Sequence, residues 1–453
     1  MKPLAVVILS FLLSPAALQE TPAIKNFPAS GSRPTIYDPN PNHIWNRLHD
    51  ALLTRRDPTG DAYGVDEIDP LLWARTEHLL SGSSHQRALA LLDEFLRTHG
   101  ENQIRDPAKR ALLQSKLWAV FDWSALSSID HRAERRELQI RLAEAMRRLA
   151  LTPAEIKSLP DNYAQAVASG AFAKEYDPAD RERVFLPPDL FEPRGSWVSI
   201  QGDQGPVAET HVSFASGRSR FLVFVRLPQG RQATLDYFHT LWDVPQPWVR
   251  SEVDPAQGLL DPALPQFPEG TQAALVRQMM LFDRNGVLVS TPITESVQIR
   301  VYRTITARHD SDRVDVDWPA ARTEQDFHEV RLTQSQLFAG QAGGLRAIAP
   351  TATELPVFQT QGEDAFESSA KQHSPLPKLL GGRILERCAG CHSASGINSL
   401  RSRRHLLKPN HAQLDPKPPY DSLWWESENT AIWKASRFDW GLLNGYWQAD
   451  NQR

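Results

Sequence analysis

The sequence predicts a multidomain α+β protein. It reads as an N-terminal helical domain over residues 43–180, a central antiparallel β sandwich or barrel over 181–350, and a small all-α domain over 378–453. Three observations carry this reading. A helical hydrophobic period with recognisable caps fills the first region, and after Pro187-Pro188 the period changes to two. Both cysteines of the 453-residue chain then fall within four positions near its end, which marks the last region. The length accommodates two or three domains with ample core.

Residues 1–18 read as a secretory signal. Lys2 supplies the positive start, Leu4 to Leu13 is a nearly unbroken apolar run, and Ser14-Pro15-Ala16 offers a small-residue cleavage pattern. The run is shorter than the roughly 18–20 apolar residues that a membrane helix needs, and no later stretch reaches that length. The mature chain is therefore expected to be periplasmic or secreted, with no integral membrane segment. Residues 19–42, with Pro22, Pro28, Pro34, Pro39 and Pro41, read as an extended leader.

Helix signals dominate the next region. Asp106-Pro107 is an N-cap followed by Pro at the first helical position, opening a segment in which Leu113, Leu117, Trp118 and Phe121 share a face. Asp130 is placed to cap the next, with Leu138, Leu142, Ala145 and Leu149 at helical spacing. Thr152-Pro153-Ala154-Glu155 spells a capping box, and Leu151 with Ile156 completes a hydrophobic staple. His43, His49, His78, His85, His99 and His131 show no metal-binding spacing and read as surface or satisfied core histidines.

Beyond residue 181, Trp197-Val198-Ser199-Ile200, His211-Val212-Ser213-Phe214, Phe221 to Val225 and Ser296 to Val301 are short β-rich runs between Gly, Pro, Asp and Asn clusters. Asn285-Gly286, between Met279 to Phe282 and Val287 to Val289, signals a hairpin. Hydrolytic and metal chemistry find little support there. No G-x-S-x-G elbow occurs. Asp310, Asp312, Asp315 and Asp317 alternate but lack the central Gly and closing Glu of a calcium loop, so a solvated loop or edge strand is expected. His328-Glu329 begins like a zinc-protease motif, but Leu332 stands where the second His belongs. Residues 351–377, rich in Pro, Thr, Ser and Gln, read as a linker.

Cys388-Ala389-Gly390-Cys391-His392 carries the chemistry. C-x-x-C-H is the attachment signature of c-type haem: two thiols at this spacing each form a thioether, and the following imidazole is the proximal iron ligand. The competing readings are a thioredoxin-like dithiol, a structural disulfide, or a zinc site that recruits His405 or His411, because no other Cys exists. An exported chain whose only cysteines lie in this motif has made no other use of disulfides. The expected cofactor is one covalent haem c, held by Cys388 and Cys391 with His392 on the iron.

With Gly382, Ile384 and Leu385 just ahead of the motif, and Ile432, Trp433, Trp440, Leu443 and Trp447 on a C-terminal helix, residues 378–453 resemble the class I cytochrome c family. The resemblance implies a last helix docked on the first, around the haem. A sixth ligand is normally a Met from the loop after the motif, which raises the potential. This chain has no Met after Met280. His405 and His411 are the candidate sixth ligands, with Lys408 a further possibility. An open position, or a ligand from elsewhere such as Met146, Met279 or Met280, stays among the alternatives. His405 also belongs to a basic run, Arg401, Arg403 and Arg404, that suits solvent or the haem propionates. The C-terminal tryptophans, Trp424 and Trp425 among them, are expected to pack rather than to relay electrons.

With a formal net charge of −4 and evenly spread Lys and Arg, nothing points to nucleic acid or an anionic membrane. The expected function is single-haem electron transfer with an unidentified redox partner protein. The alternatives are a haem enzyme or a peroxide or gas sensor with an open sixth position, and a partner- or polymer-binding protein with an accessory haem module. No catalytic residue is identified.

Overall fold

The computed structural model describes residues 33–127, 130–201, 205–244, 248–250, 258–260, 264–305, 324–353, 363–373, 383–386, 392, 396–400, 408–409 and 423–451. The signal, most of the leader and the Asp310–Asp317 cluster lie outside these residues.

The front of the chain is helical as expected. It runs through α1 (Ile44–Leu52), the short pair β1 (Arg55–Arg56) and β2 (Ala62–Tyr63), α2 (Gly82–Arg97), α3 (Pro107–Leu126), α4 (Arg132–Leu149), α5 (Pro153–Lys157) and α6 (Asn162–Ser169). Asp106 caps α3, its carboxylate accepting from the Ala108 and Lys109 amides at 2.8 and 3.3 Å. The capping box of α5 is complete: Glu155 N–H donates to Thr152 Oγ1 at 3.2 Å, and Thr152 N–H to Glu155 Oε2 at 2.7 Å. The cap of α4 differs from expectation. His131 holds that position without a side-chain bond, because the helix starts at Arg132, and Asp130 pairs with Arg132 instead.

The β region is one open antiparallel sheet, neither a sandwich nor a barrel. Its strands are β3 (Val198–Gln201), β4 (Ser219–Arg226), β7 (Gln272–Phe282), β8 (Leu288–Tyr302), β9 (Gln325–Leu332) and β10 (Leu345–Ala347), with a two-residue edge β11 (Lys408–Pro409). The order is β10-β9-β8-β7-β4-β3-β11. A separate small hairpin joins β5 (Trp248–Arg250) to β6 (Gly258–Leu260). The β7–β8 hairpin forms where Asn285-Gly286 announced it. Its connection is a wider loop, in which Asp283 N–H donates to the Val287 carbonyl at 2.9 Å and Asp283 Oδ1 accepts from the Asn285 and Val287 amides.

Helices, rather than a second sheet, cover both faces, and the alternation of β4 shows how. Leu222 and Phe224 point into a core shared with Ala111 and Leu112 of α3 and with Leu151, Ile156, Tyr163 and Ala166. The helical and β regions are therefore joined by one core across residue 180. Val223 and Val225 point the other way, toward Ile200, Phe238, Leu264, Phe267 and Ile397. Here lie α7 (Glu209–Phe214) and α8 (Arg231–Trp242). The middle of the chain is completed by α9 (Gln334–Phe338) and α10 (Ala365–Gln372), the latter packed through Ala365 and Phe366 on Leu71 and Trp73. The α10 N-cap, Asp364, forms a buried pair with Arg55 at 2.8 Å.

The stretch His211 to Phe214 is the helix α7, not a strand. Its inward residues are Ala208, Val212 and Ala215, spaced i, i+4 and i+7, while Phe214 faces solvent. The apparent alternation of Val212 and Phe214 had only one buried member, so the helical period wins.

The chain closes with α11 (Trp424–Ala435) and α12 (Phe438–Asn451). Trp440, Leu443 and Trp447 enter the core built by α1 to α4 and Phe282. Trp440 lies 5.9 Å from Trp118 and 5.9 Å from Trp447 between ring centres. The last helix thus packs on α3 and α4; of residues 378–387, which it was expected to meet, only 383–386 are described. Large aromatic faces gain most by joining the largest apolar core available. Lys434 of α11 is fully buried between Asp122 of α3, at 2.8 Å, and Asp439, while Arg218 reaches Asp122 at 2.9 Å.

Trp440→Ala is expected to lower unfolding stability by about 3–5 kcal/mol in a denaturant titration; a loss under about 1 kcal/mol rejects this packing. A second expectation concerns Glu426 of α11, whose Oε2 accepts the Val207 amide at 3.0 Å. Its Oε1 is buried without a partner among the described residues. Burial pushes its carboxyl from 4.5 up to about 8. A carboxyl whose pKa rises on folding holds its proton more tightly in the native state. Its stabilisation is therefore complete below 4.5 and is lost as pH climbs toward about 8. Thermal unfolding of Glu426→Gln should fall less than wild type across that interval; parallel curves would show that Glu426 does not titrate there.

Candidate functional site around His392

His392 is the described member of the C-x-x-C-H motif, and it is half-buried. Cys388 and Cys391 lie outside the described residues, as do His405 and His411. For Lys408 only the backbone is described, as edge strand β11 paired with Gln201.

The segment after the motif holds His392 in place. Residues Gly396–Leu400 form a short 3-10 turn. The Ser399 carbonyl lies 2.7 Å from Nδ1 of His392. A carbonyl oxygen can only accept, so Nδ1 carries a hydrogen. Metal-binding histidines are commonly fixed in this way, one ring nitrogen donating to a backbone carbonyl.

The turn is in turn docked on the sheet. Ser399 Oγ bonds to the Tyr302 hydroxyl at the end of β8 and donates to the Gly396 carbonyl at 2.8 Å. Gln266 Oε1 accepts from the Ile397 amide at 2.7 Å, and Ile397 itself is buried beside Phe267 and Tyr302. A larger residue at Gly396 would be strained, since the backbone has φ +53°, and its Cβ would displace the Gln266 amide that holds the Ile397 N–H. Arg300 of β8 also reaches toward the Ser399 carbonyl, at 3.4 Å. A buried cation is thereby placed beside the imidazole.

Across from His392 stands His211 of α7. The two rings are parallel within 6°, and their centres are 5.8 Å apart. His211 also meets Phe221 of β4, at 5.4 Å between centres and tilted by 38°. Burial, with Arg300 and Arg277 adding to it, lowers the His211 pKa to about 4, so the ring is neutral at pH 7. A neutral imidazole is the form that ligates metal.

His211 was legible only as part of a β-like run. Nothing local links it to a motif so far along the chain, and the one available signal was its being the lone histidine between the Pro187-Pro188 break and β4. The methionines weighed as distant ligands are used otherwise. Met146 lies in the helical core and Met279 in the core on the opposite sheet face. Met280 is buried where β7 meets the Arg218 carbonyl, 2.8 Å from its amide. His328 packs on Phe185 and Tyr176, at 5.2 and 6.1 Å, as a strand residue of the core.

Among the described residues, no group of three or more His, Cys, Asp or Glu side chains gathers as a metal site. Within the same residues no helix is long and apolar enough to cross a membrane. Compared with known protein families, with characterised proteins and with solved structures, the chain matches none.

Proposed function

We propose that this chain is an exported c-type haem protein that passes single electrons, with Cys388 and Cys391 holding the haem and His392 as proximal ligand. The observation that carries the reading is the C-x-x-C-H spacing, supported by the bond from His392 Nδ1 to the Ser399 carbonyl at 2.7 Å, which orients the ring; Nε2 would be the ligating nitrogen. The donor set suits a haem iron, since an imidazole directly after two cysteines at this spacing is what that cofactor requires. When bound, the haem supplies a one-electron couple.

The chain's own residues set the surroundings of that couple. Tyr302, Ser399 and Gln266 orient the imidazole through the turn, so its angle is fixed by the sheet rather than by a mobile loop. Arg300 adds positive charge close to the site, which favours the electron-rich state by Coulomb attraction. Burial of the turn lowers the local dielectric and strengthens that effect. Export fits the reading, because c-type haem is attached outside the cytoplasm in bacteria, and the amino-terminal apolar run supplies the route. The redox partner is a protein that docks near this face.

The test is production of the full chain together with a haem-attachment system. Haem is expected to stay with the polypeptide on denaturing electrophoresis, and Cys388→Ala with Cys391→Ala should abolish that retention. Wild-type protein that emerges colourless, or that loses its haem on denaturation, overturns the proposal and leaves the dithiol reading in its place.

A further inference from the structure

The proximal side of the site is written in the motif, whereas the residue opposite it comes from α7, far away in sequence. We infer that His211 is the sixth ligand of the haem iron, so that the site is bis-histidine and closed. This rests on the haem reading above.

The geometry carries it. Two imidazoles that share one iron have ring centres roughly 6 Å apart, because each metal–nitrogen bond is about 2.0–2.1 Å and each nitrogen sits about 1 Å from its ring centre. The rings of His211 and His392 are 5.8 Å apart and parallel within 6°. Both rings are held in place. His392 is fixed through Ser399, and His211 lies against Phe221, a β4 residue buried to 4% exposure. The helix that carries His211 is anchored by Val212 and Ala215 in the apolar contact with Phe221, Leu275 and Trp433. Its last turn is closed by the Gly217 amide on the Val212 carbonyl at 2.9 Å, with Gly217 at φ +71°. Gly217 also leaves no room for a side chain, since a Cβ would come within 2.9 Å of Lys434.

A bis-histidine site has a lower potential than the His/Met site usual for small single-haem cytochromes, and it leaves no open position for O2, peroxide or carbon monoxide. The assignment therefore favours electron transfer over ligand chemistry. It also gives a reason for the missing methionine after the motif: the second ligand is supplied by the β region. The haem would then bridge the segment after Cys391 to α7, so that attachment stiffens the second sheet face.

The experiment compares wild type, His211→Ala, His405→Ala and His411→Ala, each made with the haem-attachment system and each checked for covalent haem. The readouts are ferric electron paramagnetic resonance and the reduced spectrum with and without carbon monoxide. Wild type, His405→Ala and His411→Ala should be low-spin with bands unmoved by carbon monoxide. His211→Ala should turn high-spin, bind carbon monoxide, and regain the low-spin signal when imidazole is added. Because that variant tests the fold too, His211→Met is the companion. It should stay low-spin with its potential shifted upward. A wild type that is already high-spin and carbon monoxide-reactive overturns the inference. So does loss of the low-spin signal in the His405 or His411 variant with His211→Ala unchanged. Absence of covalent haem from every protein is a different result and rejects the haem reading itself.

Discussion

The buried knot of Asp122, Lys434, Asp439 and Arg218 is the interaction on which the arrangement depends. It ties α3, the start of β4, α11 and α12 through charges that are almost wholly out of water. Each buried ion gives up several kcal/mol of hydration, so the cluster is tolerable only when all members are present and hydrogen-bonded. Burial pushes the Asp122 carboxyl up to about 6 even with Lys434 and Arg218 beside it, which measures how strong the desolvation is. Lys434 also lies 5.1 Å from the centre of the Trp118 ring. Between Leu400 and α11, Lys408 and Pro409 pair with β3 at the edge of the sheet.

A second consequence follows from the sheet having two covered faces. One face is mainly apolar, filled by α3, α5 and α6, and it supplies rigidity. The other carries polar chemistry among its apolar residues: Arg300, Tyr302 and Gln266 hold the Ser399 turn, and α7 lies on β4. Arg277 reaches from β7 to Asp69 in the helical region at 2.6 Å and to Glu295 at 2.9 Å, locking the two regions together. The proposed haem site is therefore held by a scaffold drawn from most of the chain, and the contacts behind His392 are short and buried. Such support fixes ligand orientation, which is the lever a protein has over an axial imidazole.

Much of the local structure could be read residue by residue. Asp106-Pro107 and the Thr152–Glu155 box needed only neighbouring residues, and they form as expected. Asn285-Gly286 also marked its hairpin, because a positive φ at Gly286 depends on that residue alone. The misreadings have equally physical causes. The run His211 to Phe214 is too short for its period to separate helix from strand, and the buried face that decides it is made by Phe221 and Trp433. The β-rich region suggested a sandwich because alternation reports that a face is buried, without reporting what buries it. The tryptophans of α12 pack as expected, and the partners that only the fold could name are Trp118 and Phe282.

What the sequence determined by itself was the chemistry that contiguous residues can encode: the helix caps, the hairpin, the spacing of Cys388, Cys391 and His392, and the absence of a methionine to follow them. What only the tertiary structure decided was what lies opposite and behind His392. The C-x-x-C-H motif is five contiguous residues of one backbone. The Ser399 turn docks on β8, and the His211 ring arrives on a helix seated on β4, through burial shared among residues far apart in the chain. No local pattern records that sharing, because the free energy that places His211 belongs to the packed sheet face and not to its own neighbours in sequence.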